Sequence, residues 1–205
     1  EPIDVTASDG LSEAELDALA ARTAARVEAL RCLTFEAVPP IEVLDREAHA
    51  NRTGDRYSTV TEQERTIVNA QRKTLLVVGD DADAVKDTSD LVATGVAGYY
   101  EPTEDHIVLV RPENGSAPID EVTLFQELGH ALQDQRFGIG EGNRSRTTEE
   151  ENAWRAIVEG DMNFLDYRFE QRCREGRWSE PCVLPDTSEQ NGGSGGDGSD
   201  DQPAE

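Results

Sequence analysis

Residues 126 to 135 read Gln-Glu-Leu-Gly-His-Ala-Leu-Gln-Asp-Gln, and this run holds the side chains best suited to chemistry. Positions 126 and 130 are four residues apart, so on a helix both project from one face about one turn apart. Two histidines at this spacing bind Zn²⁺, and a glutamate directly after the first acts as general base to a zinc-bound water. Here Glu127 and His130 are present, and Gln126 occupies the first histidine position.

A glutamate three residues before a histidine also arises by chance on acidic helices. In that alternative, His130 is a partly buried helix residue and Glu127 is a solvated carboxylate. The sequence on both sides of the run favours the metal-site interpretation.

The run closely resembles the HELxHALQDQ-type helix of a family of bacterial and archaeal zinc metallopeptidases. Upstream, residues 96 to 102 (Val-Ala-Gly-Tyr-Tyr-Glu-Pro) and 107 to 110 look like the hairpin that precedes the active helix of that family. Downstream, residues 155 to 161 (Arg-Ala-Ile-Val-Glu-Gly-Asp) resemble its second-helix Glu-Gly-Asp motif. The likeness spans roughly residues 11 to 172 and is most specific between about 96 and 162.

Carried over position by position, this resemblance implies that His130 is a zinc ligand, Glu127 the general base and Glu159 the third ligand of a gluzincin-like site. Asp134 lies four residues after His130 and is expected to hold a nitrogen of its ring. Ordinary solvation of Asp134 on the helix is the competing interpretation.

Gln126 departs from the family pattern at a metal ligand. An amide oxygen is a harder donor that suits Ca²⁺ or Mg²⁺ better than Zn²⁺. Loss of one strong ligand is expected to remove several kcal/mol from an apparent zinc affinity of roughly 10–16 kcal/mol. We therefore expect Gln126 to contribute at best a weak third donor, with zinc bound loosely or not at all.

Two functions remain open at this stage. The first is hydrolysis of peptide bonds in a peptide or protein substrate by metal-activated water, impaired by Gln126. The second is a catalytically inactive zincin-like module that binds a partner or supports a structure. The chain has two other histidines. His106, in the predicted hairpin turn, is either a substitute ligand or an exposed turn residue, whereas His49 is expected on a helix surface.

The elements that position these residues are predicted from caps and periodicity. Ser12 to Glu15 is a capping box that opens an amphipathic helix, and residues 41 to 44 form a short strand. A helix is expected within residues 61 to 79, although residues 74 to 78 could be extended. Residues 96 to 101 and 107 to 110 form a hairpin, a helix runs from 118–120 to about 137, and another runs from the capping box at Thr147 to about Cys173. This pattern indicates an α+β fold, and the resemblance to the metallopeptidase family implies that it is zincin-like, with an active-site helix and a second ligand-bearing helix.

One domain is expected over residues 1–186, followed by a disordered acidic Gly/Ser tail over 187–205. No run of 18 apolar residues is present, so no membrane span is expected. Cys173 and Cys182 could close a short loop in an exported protein, and three free thiols are the equal alternative.

The composition is strongly acidic, with 43 acidic and 19 basic residues and a formal net charge of −24. Such a surface repels nucleic acids and anionic membranes. Lys73 and Lys86 are the only lysines, and an acidic, lysine-poor surface suits a protein from a salt-loving microbe. Because the sequence starts without methionine and ends in a linker-like tail, an extracellular or cell-surface location is expected.

Overall fold

The computed structural model describes residues 12–111, 119–140 and 147–184. The predicted tail, the first eleven residues and Pro118 therefore lie outside the described residues. Six helices and three strands form within them, in the order α1 (Glu13–Arg31), β1 (Ile41–Leu44), α2 (Arg46–Ser58), α3 (Glu62–Thr74), α4 (Ala84–Gly95), β2 (Gly98–Glu101), β3 (His106–Val110), α5 (Glu121–Phe137) and α6 (Thr148–Arg174). The predicted α+β class is confirmed.

The helix ends follow from their capping residues. Ser12 and Thr147 each form the predicted capping box, in which the N-cap hydroxyl and the glutamate three residues later satisfy each other's backbone amides. Helix α5 begins after Asp120, whose carboxylate accepts a hydrogen bond from the Thr123 amide. It ends at Gly138, which has the left-handed φ of 64° that favours glycine at a helix end.

The sheet has the strand order β1-β3-β2, with β1 parallel and β2 antiparallel to the central strand β3. The predicted hairpin of β2 and β3 is confirmed. Alternate residues of β3 enter two different layers, as the period of two in a strand requires. Ile107 and Leu109 join the main core with α1, α5 and α6, whereas Val108 and Val110 pack beside Ala48 of α2 on the opposite face.

Helices α2 and α4 form that second layer, and the sequence patterns did not predict how they pack. The prediction that His49 lies on a helix surface is wrong: it is on α2, but its side chain is 1% exposed. The helix expected within residues 61 to 79 is α3, which ends at Thr74. Residues 75 and 76 then form a turn rather than the alternative strand.

A buried ion pair ties the first helix to α5, and the C-terminal segment is held by Glu121 of that pair and by a disulfide to α6. The Glu121 carboxylate is fully buried, 2.5 Å from a guanidinium nitrogen of Arg26, and it accepts a hydrogen bond from the Val183 amide. Cys173 and Cys182 form a disulfide, which decides between the two alternatives for these residues, and Cys32 is an exposed free thiol. Of the helices in the described residues, none has the length and apolar character to cross a bilayer.

Helices α5 and α6 approach most closely where Gly129 meets Met162. A Cβ at position 129 would lie 2.4 Å from the Met162 sulfur and closer still to its methyl group. Toward the start of α5 the rings of Phe125 and Phe169 stack with centroids 4.3 Å apart. The absence of a side chain at Gly129 therefore leaves the space that the buried Met162 side chain occupies between the two helices.

We expect Gly129→Ala to destabilise the protein by about 1–2 kcal/mol, because the overpacking cost exceeds the gain in helix propensity. Gly160→Ala is the matched control, since a Cβ there meets nothing within 4 Å. That variant should be stabilised by about 0.5–1 kcal/mol. Urea unfolding in high salt measures both, and equal effects of the two substitutions would contradict the close approach.

Candidate metal and catalytic site

The structure brings together the two residues that carry the metal-site prediction. Nε2 of His130 on α5 lies 3.6 Å from a carboxylate oxygen of Glu159 on α6. The His130 side chain is 11% exposed and that of Glu159 is 48% exposed, so the pair lies at the mouth of the groove between the helices. Glu159 follows His130 by 29 positions in sequence and lies three turns into α6.

Gln133 fixes the orientation of the His130 ring. Its Nε2 donates to the Val158 carbonyl and to Asp161, at 3.2 and 2.7 Å, so its Oε1 is turned toward Nδ1 of His130 at 2.9 Å. An amide oxygen only accepts, and Nδ1 must therefore carry a proton. In the neutral ring this leaves the lone pair on Nε2, which is the atom that faces Glu159.

The support for the ring extends to the first helix. Asp161 receives the Gln133 amide on one oxygen and Nη1 of Arg31 on the other, both at 2.7 Å. Asp161, the last residue of the Glu-Gly-Asp motif, thus orients Gln133, which in turn orients the His130 ring. Gln133 and Asp161 were not predicted as site residues, although Gln133 lies three residues after His130, on the same helix face.

The prediction that Asp134 holds a ring nitrogen of His130 is wrong, because Gln133 occupies that place. Asp134 instead accepts hydrogen bonds from the Gly140 amide at 2.8 Å and the Tyr100 hydroxyl at 3.1 Å. It therefore fastens the end of α5 to the hairpin. Asp134 is one residue further along the helix, and that rotation of about 100° decides which carboxyl or amide reaches the ring.

Glu127 is buried, with 7% of its surface exposed, and its Oε2 accepts a hydrogen bond from the Tyr100 amide of β2 at 2.8 Å. Burial raises the pKa of the Glu127 carboxyl to about 7; the Tyr100 amide opposes this shift, and the charges of Glu159 and Asp166 add to it. The carboxyl is therefore half ionised near neutral pH, where a general base is most effective.

Asp166 is a second carboxylate of the groove that the sequence did not single out. It lies two turns after Glu159 on α6, and its Oδ1 is buried without a hydrogen-bond partner. Burial, together with the charges of Glu170, Asp120 and Glu159, raises the pKa of Asp166 to about 7. Asp166 is thus a second carboxyl group whose charged form is disfavoured by burial.

Gln126 is half-buried on α5, one turn before His130, and makes no hydrogen bond within the part of the chain that the structure describes. The two alternatives for His106 are a substitute ligand and an exposed turn residue. His106 begins β3 and lies 3.4 Å from Glu104 and 3.7 Å from Glu42. Glu42 pairs with Val108, so this histidine belongs to the sheet face opposite α5. The structure does not bring His106 to the site.

Two of the three protein ligand positions, His130 and Glu159, hold donors that suit zinc, whereas Gln126 at the third does not. Two ligands about 2.0–2.1 Å from a tetrahedral ion lie about 3.3 Å apart, close to the 3.6 Å between His130 and Glu159. The remaining protein donor would be the amide of Gln126. Among the described residues, no three His, Cys, Asp or Glu side chains form a group that could hold a metal ion. The donor set is therefore incomplete for tight zinc binding.

No family model, curated protein or solved structure matches this chain. The interpretation of the site therefore depends on the residues and their geometry.

We expect Glu127→Gln to stabilise the metal-free protein at alkaline pH. The folded pKa of about 7 exceeds the ordinary 4.5, so the stability that protonated Glu127 contributes is complete below pH 4.5 and is lost as the pH rises toward 7. Relative to the wild type, the variant should gain about 3 kcal/mol between pH 4.5 and pH 8.

Urea unfolding at several pH values, in high salt with EDTA, measures this difference. Glu62→Gln, at an exposed position in the first turn of α3, is the control and should show no such pH dependence. A pH-independent difference for Glu127→Gln would contradict the raised pKa.

Proposed function

We propose that this protein is a zinc-metallopeptidase-like domain that hydrolyses peptide bonds, with a metal centre weakened by Gln126. The observation that carries the proposal is the approach of the His130 Nε2 lone pair to the Glu159 carboxylate beside the buried Glu127. Two electron-pair donors at this distance are close enough to be ligands of one metal ion. The Gln133 hydrogen bond presents the ring in the form that a metal requires.

In the proposed reaction, His130 and Glu159 would hold the zinc, which would supply Lewis acidity for the activation of water. Glu127 accepts the proton and later returns it to the leaving nitrogen. Its Oε2 is held by the Tyr100 amide, and its Oε1 makes no hydrogen bond within the described residues, so one oxygen remains to exchange the proton. Burial keeps the basicity of Glu127 near the working pH.

Strand β2 supports the choice of an extended peptide as substrate. It is one of the two edge strands of the described sheet, and it packs beside α5 through Gly98, where a Cβ would lie 2.9 Å from the methyl group of Thr123. An edge strand next to the catalytic carboxylate can pair with an extended chain through main-chain hydrogen bonds.

The second candidate function is an inactive zincin-like module that binds a partner. Gln126 specifically favours it, because an amide at the first ligand position reduces metal affinity while leaving the helix packing unchanged. The Cys173–Cys182 disulfide supports an extracellular or cell-surface location for either function, since disulfides persist in oxidising compartments.

Zinc affinity tests the weakened centre. We expect the wild type to hold clearly less than one zinc per chain after dialysis, and Gln126→His to bind zinc about 100-fold more tightly, equivalent to about 3 kcal/mol. Gln71→His adds a histidine to the exposed face of α3 and is the matched control. Elemental analysis and calorimetric titration measure both variants. Stoichiometric tight zinc in the wild type would refute the weakening, and no gain in Gln126→His would refute the site.

Peptide hydrolysis separates the two functions. With zinc in high salt, we expect Gln126→His to cleave casein and the wild type to cleave it at least about tenfold more slowly, with EDTA abolishing both activities. The double variant Gln126→His, Glu127→Gln should keep its zinc and lose cleavage. If Gln126→His binds one zinc and cleaves nothing, the peptidase proposal fails and the inactive module remains.

A further inference from the structure

A large cavity lies away from the candidate metal site. It has a volume of about 910 Å³ and is half open to solvent between α2, α4 and the β2–β3 hairpin. Tyr99, Glu42 and His106 line it, and their side chains belong to the sheet face opposite α5. Its volume is within the range of small-molecule sites.

His49 presents an unused acceptor in the wall of this cavity. Its Nε2 lies 3.1 Å from the carbonyl oxygen of Val92, and a carbonyl only accepts, so Nε2 carries the hydrogen. The lone pair of the neutral ring is then on Nδ1. That atom is buried and has no hydrogen-bond partner, although buried polar atoms are nearly always paired. A ligand that donates an O–H or N–H would satisfy it.

The charged groups of the cavity are paired with each other. Arg52 donates two hydrogen bonds of 2.8 Å to Glu42, and Arg56 donates one of 3.2 Å to Glu101. Although the whole chain carries −24, these two pairs cancel within the wall. They offer donors and acceptors side by side, and the one further carboxylate of the lining, Glu104, is mostly exposed and lies 3.4 Å from His106.

Two tyrosines add aromatic surface to the same wall. Tyr99 lies beside His49 with ring centroids 5.9 Å apart, and Tyr57 lines the cavity from α2. Aromatic rings provide flat apolar area next to these polar groups.

We propose that this cavity binds a neutral polyhydroxylated molecule, of the size of a monosaccharide or disaccharide. A sugar hydroxyl donates to His49 Nδ1 and other hydroxyls accept from guanidinium groups and donate to carboxylates, so one ligand chemistry satisfies every wall group. The C–H face of a sugar ring packs on Tyr57. A strongly charged ligand would have to break the Arg52–Glu42 and Arg56–Glu101 pairs.

Saturation-transfer NMR and calorimetry on the full chain, in high salt with EDTA, test the proposal independently of the zinc site. The probes are glucose, maltose, the open-chain polyol sorbitol and the anion glutamate. We expect glucose and maltose to bind, maltose most tightly, and sorbitol to bind at least about tenfold more weakly because it has no ring to pack on Tyr57.

Tyr57→Ala and His49→Phe should each weaken maltose binding at least about tenfold. Tyr167→Ala removes an exposed ring on α6, outside the cavity, and should leave binding unchanged. If His49→Phe does not fold, Tyr57→Ala decides the result. No saturation transfer to either sugar, unchanged affinity in Tyr57→Ala, or binding of glutamate as tight as that of maltose would overturn the proposal.

Discussion

The close approach of α5 and α6 at Gly129 and Met162 is the constraint on which the candidate site depends. With hydrogen at position 129, Met162 packs directly against the α5 backbone, and the Phe125–Phe169 stack keeps the two helices side by side. One residue beyond Gly129, His130 then faces Glu159, three residues before Met162. A larger residue at 129 would separate a pair whose interaction depends on a gap of 3.6 Å. Packing in the core thus determines the electrostatics at the surface of the groove.

Those electrostatics are dominated by unneutralised carboxylates. Glu127 and Asp166 are both buried enough for the pKa of each to rise to about 7, and Glu159 adds its charge to both. Each carboxyl therefore attracts a cation, and it binds a proton when no metal ion is present. Such a groove favours any positive charge that enters it, which is how an imperfect ligand set can still hold a metal weakly. Gln126 is a weaker zinc ligand than a histidine, but it leaves the attraction between the carboxylates and a cation unchanged.

The parts predictable from sequence were those with local signals. The capping boxes at Ser12 and Thr147, the hairpin and the limits of α5 follow from residues close in the chain, and the approach of His130 to Glu159 follows from the spacing of two motifs. The packing of α2 and α4 on the sheet and the burial of His49 depend on contacts between residues far apart in the chain, which no local signal gives. The choice of Gln133 over Asp134 as the partner of His130 depended on Asp161 and Arg31, which lie on two other helices. Both Gln133 and Asp134 satisfy helical spacing relative to His130, so only the tertiary contacts of Gln133 distinguish them.

Strand β2 links the two faces of the molecule. Its Tyr100 amide holds Glu127 on the side of α5, while the side chain of the preceding residue, Tyr99, lines the cavity on the opposite side. Successive side chains of a strand point to opposite faces, so two sites of different chemistry meet on neighbouring residues. Being an edge strand, β2 is held by hydrogen bonds to β3 alone within the sheet, and the Glu127 carboxylate supplies a further restraint from the helix layer. A displacement of β2 from either face would therefore change the distance from Tyr100 to Glu127, and with it the basicity of that carboxyl.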